Sequence, residues 1–127
     1  MNTPIFVCEN GDVAIFASVA DAQMSLEQTD VENNIYVAYD SEGRLLRLFP
    51  TSPRITIKRA EEEPTHAEEL HSILFEFLLH VGEPASDLKQ ASLQEIVNRA
   101  LKYKIDLTFH PPFTEALNSI KGWFNKG

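Results

Sequence analysis

The apolar pattern predicts an α+β domain: an antiparallel sheet of about five short strands with one helix inserted, followed by three helices packed on one face. Three observations carry this. Short apolar or alternating runs occupy the first 60 residues, stripes at helical spacing occupy the rest, and turn-forming residues separate the segments. With 127 residues, the chain is expected to be a single domain over residues 1–127, mainly strands plus one helix over 1–60 and mainly helical over 65–125.

The elements follow in order. Ile5-Phe6-Val7-Cys8 and Val13–Phe16 are apolar runs joined through Asn10-Gly11, two residues that accept positive φ, which predicts a hairpin. Ser18 stands three residues before Asp21 as an N-cap, and Val19, Ala22 and Leu26 follow at helical spacing, so a helix is expected over 19–28. Ile35–Tyr39 has β-branched and aromatic residues, Asp40-Ser41-Glu42-Gly43 is a turn closed by glycine, and Arg44–Phe49 returns as a strand. Arg54–Arg59 alternates isoleucine with Arg, Thr and Lys, the signature of a half-wet strand near a sheet edge.

Beyond the acidic breaker Glu61-Glu62-Glu63-Pro64, Thr65 with Glu68 predicts a capping box. Leu70, Ile73, Leu74, Phe77, Leu78 and Val81 then form a stripe that Gly82 and Pro84 terminate. Ser92 with Glu95 predicts a second capping box ahead of Leu93, Ile96, Val97, Ala100 and Leu101. Pro111-Pro112 opens a third helix with Phe113, Leu117, Ile120 and Phe124 on one side.

Charge is distributed unevenly. Of the net −8, residues 1–50 hold −6, residues 51–69 hold −2, and the remainder is balanced. Such a field repels phosphate backbones and anionic lipid and favours basic partners, so direct contact with nucleic acid or membrane is not expected. The single cysteine, Cys8, cannot form an internal disulfide and reads as a small buried apolar residue. No signal peptide opens the sequence and no run approaches the ~20 apolar residues of a membrane span, so a cytoplasmic location is expected.

The chemistry-bearing residues do not assemble into a motif. His66 and His71 are five apart on one predicted helix, which puts them on different sides and lacks zinc-helix spacing. His80 lies near a helix C-terminus, where the dipole favours an imidazolium. Gly-x-Ser-x-Gly is absent, and the glycines are not spaced to cradle a phosphate. The expectation is therefore no enzyme, no catalytic residues, no cofactor and no metal. An enzyme using His66 or His71 with Glu69 is the weaker rival. Tyr36 and Tyr39 point to opposite faces of a strand, so one suits the core and the other a protein interface.

Phe16-Ala17-Ser18-Val19-Ala20-Asp21-Ala22, Leu26-Glu27, Asp30–Asn34 and Tyr36–Leu46 together resemble small acidic bacterial immunity proteins of polymorphic-toxin and contact-dependent growth inhibition systems, over roughly residues 5–60. The resemblance implies a stoichiometric inhibitor that binds a cognate toxin domain, in many such systems a basic nuclease. The pattern describes a scaffold and brings no binding residues with it. From charge and aromatic placement, the expected partner-binding set is Glu27, Asp30, Glu32, Tyr36, Tyr39 and Glu42, with the carboxylates imitating phosphate toward a basic partner. An adaptor for another basic partner is the alternative, and Asp40 is expected to be a turn cap.

Overall fold

The computed structural model describes residues 1–105. The predicted third helix (Phe113, Leu117, Ile120, Phe124), with Trp123 and His110, lies outside the described residues. Within them the order is β1 (Ile5–Glu9), β2 (Asp12–Phe16), α1 (Val19–Ser25), α2 (Gln28–Glu32), β3 (Val37–Tyr39), β4 (Leu45–Phe49), β5 (Thr56–Arg59), α3 (Ala67–His80), α4 (Ala85–Leu88) and α5 (Leu93–Ala100), then a 3₁₀ turn over Leu101–Tyr103. The sheet is wholly antiparallel with strand order β2-β1-β3-β4-β5, as an α+β fold requires.

β1 occupies an inner position and is buried on both faces, which explains why it reads as a continuous apolar run rather than an alternating one. Phe6, Val13, Ile15 and Tyr39 face α3, α4 and α5, in a core shared with Leu70, Leu74, Leu78, Leu88 and Ile96. Ile5, Val7, Phe16, Ala38, Leu46 and Ile57 face the other way, against Ala22 and Leu26 beside α1 and Val31 of α2. Full burial of each large side chain contributes roughly 1.5–3 kcal/mol.

Local signals account for most boundaries. Ser18 Oγ accepts from the Asp21 amide at 3.1 Å, and Asn10 and Gly11 both have positive φ in the β1–β2 turn. Ser92 and Glu95 form a complete capping box. Two expectations need correction, and one helix is new. The inserted helix is two short ones, because the chain turns extended at Leu26 and Glu27. α3 starts at His66 as N-cap rather than Thr65. The reason is that Thr65 Oγ1 donates to Glu61 Oε2 at 2.6 Å, so the acid serving this terminus is Glu61 and not Glu68. The four-residue α4, unanticipated, drives Leu88 fully into the core.

At the outer edge of the sheet, the Ile57 amide points away from β4 and donates to Gln23 Oε1 of α1 at 2.9 Å. Beyond α5, Tyr103 donates to Glu83 and stacks edge-on against Phe77, which fastens the 3₁₀ turn to α3.

Candidate protein-binding surface

The antiparallel pairing of β1 with β3 brings the end of β1 to the start of β3, and so places Glu9 beside Tyr36. α2 lies over the same end. Tyr36 donates its hydroxyl to Asp30 Oδ2 at 3.0 Å, tying α2 to the strand that follows it. Burial first, then the Asp30 bond and the nearby charges of Asp30, Glu9 and Glu27, push the Tyr36 phenol far above its ordinary range. This end of the molecule therefore has a neutral phenol ringed by carboxylates. Glu27 and Glu32 are exposed, while Glu9, Asp30 and Tyr36 are half-buried. Glu27 occupies the N-cap position of α2 but makes no capping bond with its side chain.

Ion pairing leaves three of these acids aside. The carboxylates elsewhere that form ion pairs are Asp40 and Glu42 with Arg44, Glu62 with Arg59, Glu61 with His66, and Glu83 and Asp87 with Arg99. Among the described residues, none of these pairs involves Glu9, Glu27 or Glu32.

The expected set is thus divided. Glu27, Asp30 and Tyr36 are brought together, and Glu32 is exposed at the end of the same short helix as Asp30. Glu42 is not with them: it lies in the turn at the opposite end of β3, bonded to the Asn2 side chain and 3.4 Å from Arg44. Tyr39 is 2% exposed, since strand alternation turns it into the helical core, where its hydroxyl reaches Glu69. Tyr39 is therefore a packing residue, and Tyr36 is the accessible member of the pair. Glu9 was missed, because only the β1–β3 pairing reveals it.

Asp40 is fully buried and caps its turn as expected. Its Oδ1 accepts from the amides of Glu42 and Arg44, and its Oδ2 lies 2.6 Å from the Arg44 guanidinium. The histidines have separate partners: His66 Nδ1 lies 3.0 Å from Glu61, and His71 Nε2 lies 2.8 Å from the Ala91 carbonyl. Glu69 is engaged by Tyr39 instead. Burial, reinforced by Glu69, pushes the Cys8 thiol up to about 12, so it stays protonated at neutral pH.

No cluster of three or more His, Cys, Asp or Glu among the described residues is arranged to hold a metal ion. No described helix is long and apolar enough to cross a membrane. Compared with protein families, with curated proteins and with solved structures, the chain finds no match.

Proposed function

We propose that the chain is an immunity-type protein that binds a basic toxin domain one-to-one and neutralises it by occupying its surface, without catalysis. The observation supporting this is the acidic end, where Glu9 and Glu27 lie close to the Tyr36–Asp30 pair and the exposed Glu32 ends α2, and where Glu9, Glu27 and Glu32 have no ion pair among the described residues. Carboxylates without internal cations keep their field for an incoming partner, which speeds encounter with a basic cleft and excludes its anionic substrate. Tyr36 supplies an amphipathic ring of the kind that anchors interfaces, already held in place by Asp30. A neutraliser effective at low abundance needs sub-nanomolar binding, beyond about 12 kcal/mol.

The test starts from the neighbouring gene. Coexpression with the C-terminal domain of an adjacent large secreted protein should give a one-to-one complex that copurifies and protects cells. Glu27→Lys with Glu32→Lys should slow association about tenfold at low ionic strength and much less at high salt. Glu63→Lys with Glu68→Lys makes the same change in net charge elsewhere on the exposed surface and should have a smaller effect. Equal effects from the two pairs, or none from the first, would remove the acidic end from the interface.

A further inference from the structure

α3 begins against the β3–β4 turn, where Ala67 abuts Gly43. It ends near the β1–β2 turn, where Phe77 and His80 share a recess with Asn10, Gly11 and Asp12. The helix therefore crosses the sheet obliquely, and among the described residues one corner of that face is left without cover. Strand alternation fixes what points there. Arg47 of β4 stands opposite Lys58 of β5, and Phe49 stands opposite Thr56. Val37, opposite Cys8 on β1, lies one step beyond the Ala38–Leu46 rung and so borders Arg47. Val37, Arg47 and Lys58 are exposed, and Phe49 and Thr56 are half-buried.

Two features of this corner are unfavourable in isolation. Like charges directly opposite on neighbouring strands destabilise a sheet, yet Arg47 and Lys58 hold such positions. Neither has an ion pair among the described residues, nor does the exposed Arg54 just before β5, although Arg44, Arg59 and Arg99 all do. Val37 is 46% exposed, more open to water than any other large apolar residue among those described, Met1 at 40% included. Lys58 is steered toward an aromatic face instead of a carboxylate, its ammonium 5.9 Å from the Phe49 ring centroid. Guarding of an edge strand accounts for Lys58 and Arg59, but Arg47 is on the inner strand β4, where no free edge needs a cation. Glu69 of α3, which lies close to Cys8, is already bonded to Tyr39.

The geometry points to a second docking surface of opposite sign: the open β3–β5 corner seats an acidic, extended segment of a partner protein. Its carboxylates meet Arg47 and Lys58, and an apolar side chain covers Val37 and Phe49. A protein segment fits better than a nucleic acid, because two carboxylates and an apolar side chain match two cations beside Val37 and Phe49, whereas a polyphosphate carries a charge on every unit and meets the full repulsion of a net −8. This surface stands independently of the acidic-end reading.

The probe is a fluorescein-labelled peptide with two glutamates flanking a central phenylalanine in an otherwise neutral sequence, titrated against the full chain at moderate ionic strength. Saturable binding is expected, with amide NMR shifts concentrated at Val37, Arg47, Phe49, Thr56 and Lys58. Arg47→Glu with Lys58→Glu should weaken it at least about tenfold. Lys89→Glu with Lys102→Glu, the same change in net charge at two other exposed lysines, should weaken it far less. Absence of saturable binding, equal loss in both variants, or equal affinity for a labelled ten-nucleotide single strand would each overturn the proposal. Glu27→Lys with Glu32→Lys should leave the peptide bound, which separates this surface from the acidic end.

Discussion

Replacing Gly43 by alanine tests how the hairpin is joined to the helical layer. Gly43 and Gly11 have nearly the same backbone angle, φ +85° and +88°, so a Cβ meets nearly the same left-handed penalty at either site. That penalty is about 1–2 kcal/mol. Their surroundings differ. A Cβ at Gly11 has nothing within 4 Å, whereas at Gly43 it would fall 2.3 Å from Ala67 Cα and 2.5 Å from the Ala67 nitrogen. These are backbone atoms of the first turn of α3 and cannot rotate aside. The helix start must retreat, which adds an overpacking cost of roughly 1–3 kcal/mol. It also strains the 2.9 Å bond from the His66 amide to the Gly43 carbonyl, worth about another 1 kcal/mol. Gly43→Ala should therefore cost about 3–6 kcal/mol and Gly11→Ala about 1–2, against a total stability on the order of 5–15 kcal/mol. Urea denaturation followed by far-ultraviolet circular dichroism would measure both, with Gly82→Ala (φ +98°, uncrowded) as a second control. If Gly43→Ala costs no more than Gly11→Ala, the close approach of turn and helix does not hold in solution.

Two further predictions concern titratable groups. Bonds from the Thr65 hydroxyl, the Leu45 and Thr65 amides and His66 hold the Glu61 carboxyl down at about 2, below its ordinary 4.5. A depressed carboxylate stabilises the fold above its unfolded value, and that contribution disappears as pH falls from about 4.5 toward 2. Glu61→Gln should thus lower the melting temperature at pH 7 and match the parent near pH 2; a constant gap across that range would refute the assignment. Cys8, protonated and mostly covered, should react with a disulfide reagent far more slowly at pH 8 in the native protein than in denaturant. Equal rates would place the thiol at the surface.

Much of the architecture was legible because it rests on signals that act within a few residues. Ser18 before Asp21, Ser92 with Glu95, Asn10-Gly11 and the terminating Gly82 each announce a local geometry that neighbouring chain cannot easily override. The failures share a cause as well. Thr65 looked like a cap until Glu61, folded back across a proline, took its hydroxyl. Leu88 lies in a helix of four residues, too short to show a period. Tyr36 and Tyr39 were correctly placed on opposite faces, but which of them is accessible depends on which layer covers each side. Glu42 looked like a companion of Glu27 along the chain, and the length of β3 separates them. The open corner at Arg47 and Lys58 depends on the angle at which α3 crosses the sheet, a quantity no sequence window contains.

The bond between Gln23 and the Ile57 amide bears on what this protein does in a crowded solution. An outermost strand with a vacant donor invites a foreign strand to zip alongside, and from there to fibrillar growth. Here a side-chain amide from a seven-residue helix occupies that donor, while Lys58 and Arg59 beside it repel a like-charged strand of another copy. Resistance to polymerisation is thereby entrusted to α1, and because Ala22 of the same small helix packs in the core, loosening it would uncover the rim and open that core together.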